Sequence, residues 1–301
     1  MSFDLYFAGG SANDIVTSVF DKNSSSRLFS NLNDRKIILS TNKTGKIFVD
    51  SGAYSAYTKN KIVNVDDYIN FLNTNTHKFD LFAQVDKIPG EYGKKKTMQQ
   101  IQDAPKQSWE NYLYMRNRVV EKDKLLPVFH RREDFKYLEN MLLWKDENNR
   151  HIPYIALAPT TDSSTKEKDI FLSECFDLIS RLKRDDVKTH LFGVTSLELI
   201  KKYPANSCDS TMWIKAAIFG EIVIILKNRA IRVIISDKRI KLKKDIEIVI
   251  DNYCNVLGYN IEDLKDNPIS RQCFNIDVLQ SWANNHNPNE IKRKQYVRRL
   301  F

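Results

Sequence analysis

The chain has 301 residues, of which 42% are hydrophobic and 11% aromatic, a globular composition with enough apolar material for a sizeable core. No apolar run approaches the roughly 18 residues of a membrane span, and the opening MSFDLYFAGG lacks the basic and apolar regions of a secretory signal, so a cytoplasmic protein without a membrane partner is expected. Lys and Arg number 47 against 38 Asp and Glu, a formal charge of +9 that favours a polyanionic partner such as nucleic acid.

Seven short apolar or small-residue segments end in polar or turn-forming residues: DLYFAGG (4–10), KIFVDSG (46–52), FDLFAQVD (79–86), KLLPVFH (124–130), IPYIALAP (152–159), THLFGVT (189–195) and ANSCDS (205–210). Between them lie stretches long enough for a crossover helix. VDDYINFL (65–72) has an acidic first turn, SWENYLYMRNRVVEK (108–122) repeats apolar residues at helical spacing behind Ser108 as a cap, and SLELIKKYP (196–204) runs from a serine to a proline. Repeated βα units of this kind predict α/β architecture, a (β/α)8 TIM-type barrel, as one domain over 1–301.

After Gly220 the rhythm changes. EIVIILKNRAIRVIISDKRIKL predicts a β-hairpin turning at Lys227, Asn228 and Arg229, a β-rich insertion over 221–243 placed before, or in place of, the last barrel unit; a charged helix follows from Lys244 towards Leu257. Residues 288–301 form a basic tail in which Lys292, Arg293, Arg298 and Arg299 are candidate phosphate contacts beside Tyr296 and Phe301. Lys94, Lys95 and Lys96, in a predicted loop, are a second candidate for nucleic-acid contact. Cys175, Cys208, Cys254 and Cys273 are widely spaced and form no CxxC pair, which argues for reduced thiols and against a zinc knuckle, an iron–sulfur cluster or a disulfide framework.

In IFVDSGAYSAY (47–57) a buried strand ends on Asp50 and passes into a small-residue turn. An Asp-Ser-Gly run serves as a helix cap or turn, and equally as the mouth of a parallel-sheet site, where α/β folds place their chemistry. Asp86 in AQVDKIPG, His130 in LPVFH and Asp209 in NSCDSTMW also follow short segments at predicted strand ends. Two carboxylates in one pocket can divide labour, one as nucleophile and one exchanging a proton, because burial and mutual repulsion separate their pKa values. Glycosyl chemistry uses such pairs. Trp109, Trp144 and Trp213 read as core rather than as stacking platforms. Trp213, directly after the Asp209 motif, is the tryptophan best placed to stack on a base, and His190 reads as packing at the entrance of its strand.

In their order, DSGAYSA, QVDKIPG, LPVFH, YIALAP and HLFGVTSLELIKKYPANSCDSTMW resemble the tRNA-guanine transglycosylase superfamily over about residues 3–220, and most closely its phage and bacterial DNA-modifying branch, the DpdA-like DNA 7-deazaguanine transglycosylases. The resemblance implies a (β/α)8 barrel that exchanges guanine in DNA for a 7-deazaguanine such as preQ0, a free base that is the co-substrate, with no other cofactor. It implies Asp209 as the nucleophile on C1′, Asp50 as general acid/base, Tyr54 as a stacking residue and Asp86 as the carboxylate reading the N–H edge of the base. His130 falls where the tRNA enzymes read the base with glutamine. Ala156 and Leu157 occupy the segment whose backbone touches the base, without the family's usual glycine pair. The cysteines and His286 do not reproduce the structural zinc site of the tRNA enzymes, which fits the DNA branch. Exchange on tRNA, or a silent nucleic-acid-binding subunit of a modification complex, remains an alternative, as do helper proteins that open the duplex and a host-cytoplasmic location if the protein is phage-encoded.

Overall fold

The computed structural model describes residues 3–159, 163–227, 229–237 and 239–291. Strand β1 (Asp4–Ala8) leads through α1 (Asp14–Lys22), β2 (Ser26–Ser30) and α2 (Asn31–Ser40) to β3 (Ile47–Asp50), α3 (Ala53–Thr58) and α4 (Val65–Thr74). Next come β4 (Leu81–Ala83), α5 (Met98–Arg116), β5 (Leu125–Leu126), β6 (Val128–His130) and α6 (Phe135–Leu143). The alternation continues with β7 (Tyr154–Ala158), α7 (Thr165–Arg181), β8 (Lys188–Leu191), α8 (Leu197–Lys202), β9 (Ser207–Ser210) and α9 (Met212–Ile218).

These nine strands form one sheet in the order β5-β4-β3-β2-β1-β9-β8-β7-β6. Its two terminal strands are halves of one extended segment, parted at Pro127, which has no N–H to give to a ladder. Leu125 and Leu126 pair in parallel with β4, Val128 to His130 pair in parallel with β7, and the Pro127 carbonyl itself accepts the Ala156 N–H at 2.9 Å. Counted as one strand, 125–130 brings the number to eight and closes the order on itself. The fold is α/β of the TIM-barrel type, as expected.

The expected strands were seven; the eighth is β2, SRLFS, whose Ser26 and Arg27 interrupt the apolar pattern although both are buried. The hairpin β10 (Glu221–Leu226) and β11 (Arg229–Ile234) forms as expected, antiparallel from Glu221↔Ile234 to Leu226↔Arg229. Because β2 completes the set of eight, the hairpin follows the last barrel strand rather than preceding or replacing it. The helix expected over 108–122 starts at Met98 behind a Thr97–Gln100 capping box and stops at Arg116. Ser108 is not its cap: it is buried mid-helix, donating to the Ala104 carbonyl at 2.9 Å and accepting the Lys87 N–H at 2.9 Å.

The chain divides into two compact units, one of residues up to Arg27 together with those from Val194 onward, the other Leu28–Gly193. In the first, α10 (Lys244–Leu257), α11 (Ile261–Asp266) and α12 (Pro268–Asn284) follow the hairpin, and Ile222, Ile224, Val233, Ile250, Phe274 and Val278 bury a common core. Buried Arg271 on α12 donates to the carbonyls of Ala217, Leu264 and Lys265, satisfying groups at the ends of α9 and α11. Trp213 is fully buried there, its Nε1 donating to the Ala8 carbonyl at 2.9 Å and its ring meeting Phe20 edge-on. Trp213 is therefore a core residue, as read from the sequence, and not the exception that stacks on a base: both its polar and its apolar surface are spent inside the core.

In the second unit the core holds Phe48, Tyr68, Phe82, Phe129 and Ile155, all at most 1% exposed. His190 lies within β8 rather than at its entrance, opposite Ala156, edge-on to Phe48 and Phe192. Trp109 stacks on Tyr112 with ring centroids 5.1 Å apart and meets Trp144 edge-on. All four cysteines are buried and unpaired by disulfides, and burial pushes the thiols of Cys175 and Cys208 well up. Among the described residues no helix is long and apolar enough to cross a membrane.

Candidate functional site

In unit 28–193 the ends of β3, β4 and β6 carry the polar residues that the sequence singled out. Asp50 is the last residue of β3, and its Oδ2 accepts the Gly52 N–H at 3.1 Å, so the turn-capping role of an Asp-Ser-Gly run is present. Gly52 has φ +79°, and a Cβ there would stand 2.7 Å from Leu32 Cβ and 2.9 Å from Ser30 Oγ. Only glycine fits that corner without displacing α2, which fixes where the chain turns into α3. Tyr54, on the first turn of α3, is 59% exposed.

Asp86 lies three residues beyond β4 and is the acceptor at the centre of a polar cluster. Its Oδ1 accepts the Gln84 Nε2–H at 2.7 Å, and its Oδ2 lies 3.3 Å from His130 Nε2. His130 Nδ1 lies 3.3 Å from Glu133 Oε1, so the imidazole is held between two carboxylates. Burial alone would push the His130 pKa down; the Asp86 charge and the hydrogen bonds to Asp86 and Glu133 outweigh it and hold the pKa well above the ordinary histidine value. With both ring nitrogens facing carboxylate oxygens, the protonated ring serves as a double donor.

Glu133 is in turn locked to the strand end. Its Oε2 accepts the His130 backbone N–H at 3.1 Å, and its own N–H donates to the His130 carbonyl at 3.2 Å. Between them Arg132 takes φ +82°, a left-handed conformation that a side-chain-bearing residue adopts only when its surroundings impose it. Arg131 anchors the same turn through Ser163 and Glu167.

Tyr68 of α4 sits beneath this surface, fully buried, with its hydroxyl 3.1 Å from both the Val49 and the Ala83 carbonyls. Those carbonyls immediately precede Asp50 and Gln84, so one phenol ties the ends of two neighbouring strands. Its pKa is raised well above the ordinary tyrosine value, by burial first, and then by the charges of Asp50 and Asp86 that outweigh the opposing one of Arg35.

The structure thus brings Asp86 and His130 together, and places Asp50 and Asp86 around a common tyrosine. Ala156 and Leu157 fall elsewhere: both are fully buried in the middle of β7, with the Ala156 N–H given to Pro127 and the Leu157 carbonyl taken by Phe192. These bonds engage one backbone group of each residue within the sheet. Lys94, Lys95 and Lys96 lie on the exposed loop between β4 and α5, Lys94 paired with Glu91 at 2.5 Å. Lys292, Arg293, Arg298 and Arg299 lie outside the described residues.

Asp209 belongs to the other unit. It is the third residue of β9, opposite Tyr6 of β1 and 8% exposed. The segment behind it is fixed by Met212 N–H donating to Ser210 Oγ at 3.0 Å and by the Trp213 side chain. Among the described residues no group of three or more His, Cys, Asp or Glu is arranged to hold a metal ion.

Gln84, Glu133 and Tyr68 were not singled out by the sequence. Two of them carried a readable signal: Gln84 alternates with Asp86 along the chain, and Glu133 stands three residues after His130. Tyr68 reads as an ordinary apolar position of an amphipathic helix. A scan of the chain against protein-family models finds no match, and a search of curated proteins finds none either.

Proposed function

We propose that the protein is a base-exchange glycosyltransferase that replaces guanine in DNA with a 7-deazaguanine of the preQ0 type. In this reading Asp209 attacks C1′ of the target nucleotide, a C1′–Oδ bond forms as the C1′–N9 bond breaks, and Asp50 gives the departing guanine a proton. Asp50 then takes a proton from the incoming base, whose N9 displaces Asp209 and restores the glycosidic bond. The carboxylate of Asp86 accepts from the N–H edge of the bound base, and the exposed ring of Tyr54 supplies a stacking face. Lys94, Lys95, Lys96 and the basic tail contact phosphates.

The observation that supports this reading best is the Gln84–Asp86–His130–Glu133 cluster. An acceptor with fixed orientation is what discrimination of a purine edge requires, because a site built around hydrogen bonds rejects a base that cannot complete them. Here Asp86 is held from two sides by donors and retains lone pairs for a ligand. The motif order of the sequence supports the roles of Asp50 and Asp209.

The experiment is incorporation of labelled guanine, and separately of labelled preQ0, into duplex DNA, single-stranded DNA and tRNA by the purified chain, with Asp209→Ala as the control. Label in DNA that the variant does not give, together with loss of covalent trapping and retained DNA binding, is the expected result. Label in tRNA alone moves the substrate and keeps the chemistry. Full exchange by Asp209→Ala overturns the nucleophile.

A further inference from the structure

Resting on the DNA reading above for the choice of polymer, but not on the exchange chemistry, we infer that unit 28–193 carries a stacking platform for single-stranded DNA on the β4–α5 loop and α3, with Tyr92 as its principal base-contacting ring.

Large aromatics on a protein surface are informative when they are braced and surrounded by one sign of charge. Tyr92 is 53% exposed at the middle of the loop that joins β4 to α5. It is not a loose side chain: it meets Tyr57 at right angles, ring centroids 5.7 Å apart, and the Lys96 ammonium lies 5.5 Å from the centroid of the same Tyr57 ring. Tyr57 is thus occupied on its edge-on and cationic contacts and serves as the brace, while Tyr92 retains open surface. One turn earlier on α3, Tyr54 shares a helix face with Tyr57, because residues three apart are neighbours on a helix, and it too is exposed.

The backbone holds the loop in this pose. Gly90 and Gly93 flank Tyr92 with φ of +71° and +76°. A Cβ on Gly90 would stand 3.2 Å from both Gln100 Oε1 and Lys96 Cγ, so the loop lies close against the start of α5 at that point.

Charge selects the occupant. Segments 51–62 and 87–97 contain Lys59, Lys61, Lys87, Lys94, Lys95 and Lys96 and a single acidic residue, Glu91, which pairs with Lys94. An apolar protein partner would gain nothing from that surplus. A polyphosphate backbone gains counterion release, and its unpaired bases gain the π faces of the exposed tyrosines. Duplex DNA, with its bases stacked internally, can use the lysines but not the rings. The surface therefore distinguishes single strands from duplexes.

The test is fluorescence anisotropy of the full chain with labelled dT20 and with a dA·dT duplex of the same length, across a salt series. Because dT20 contains no guanine, its binding is read independently of exchange, and failure of either reading leaves the other measurable. Tighter binding of dT20 than of duplex is expected, weakened about fivefold or more by Tyr92→Ala and retained by Tyr92→Phe. Replacing Lys94, Lys95 and Lys96 together by Gln should flatten the salt slope for dT20 by about 2, the value for three single-strand phosphate contacts. A duplex preference, no binding of dT20 at low salt, or wild-type binding by a folded Tyr92→Ala would overturn the inference.

Discussion

Glu133 grips His130 twice, through Oε1 at 3.3 Å from the ring Nδ1 and through Oε2, which accepts the His130 backbone N–H at 3.1 Å. The side chain thereby fixes both the orientation and the protonation of the imidazole that faces Asp86. A histidine whose folded pKa is raised gives stability that is complete below its unfolded value, about 6.5, and that is lost as pH rises through the folded value. Glu133→Gln removes one of the two charges that raise it, so the His130 titration should move down towards 6.5, and the loss of stability, which starts near 6.5 in either chain, should be smaller and complete at a lower pH. NMR of the ring nitrogens through a pH series checks this. An unshifted titration would mean that Asp86 alone sets the protonation.

Tyr68→Phe tests the tie between strand ends. Removing the hydroxyl leaves the Val49 and Ala83 carbonyls without their shared donor in a fully buried setting, at a cost of about 1–3 kcal/mol in urea unfolding. An unchanged midpoint would show that the two carbonyls are satisfied without it.

Gly52→Ala tests the corner behind Asp50. The methyl would clash with Leu32 Cβ at 2.7 Å, and the backbone would have to keep φ +79° with a side chain, which by itself costs about 1–3 kcal/mol. A lowered melting temperature and, for the exchange reading, a larger loss of turnover than of oligonucleotide binding are expected. Wild-type turnover in a folded Gly52→Ala chain would detach the corner from the chemistry.

The strand ends at Asp50 and His130 were legible because a buried strand announces itself by apolar residues and its end by the first polar one. The same rule hid β2, where Ser26 and Arg27 are buried inside the run, and it hid the start of α5, where a polar stretch containing Pro105 is held in helix by the Thr97 capping box. Pairing across the sheet was not legible. Gln84 and Glu133 lie within three residues of the groups they hold, but nothing local to Asp86 says that it will meet His130, since that contact depends on which strand ends the fold sets side by side. Trp213 follows Asp209 in sequence, but from the first turn of α9 its ring turns back towards Ala8 and Phe20, so the core reading holds over stacking on a base.

Asn275 offers a test in the other unit. Its side chain is fully buried on α12, donating Nδ2–H to the Trp213 carbonyl at 3.0 Å and accepting the Val223 N–H at Oδ1 at 2.7 Å. It therefore joins the start of α9, just beyond Asp209, to the hairpin strand β10. Asn275→Ala leaves the Val223 N–H without its partner and takes one donor from the Trp213 carbonyl, and should cost about 1–3 kcal/mol. Asn275→Asp separates the two bonds. An aspartate keeps the acceptor for Val223 but turns an oxygen towards the Trp213 carbonyl, and only its protonated form can donate there. Burial and that carbonyl would raise its folded pKa above the unfolded value of about 3.9, so the penalty should be small at acid pH and grow as pH rises from there towards the folded value. Urea midpoints of Asn275→Asp relative to the unsubstituted chain at pH 4 and pH 7 measure it: a larger deficit at pH 7 assigns the cost to the Trp213 side of the bridge, and equal deficits assign it to packing around α12.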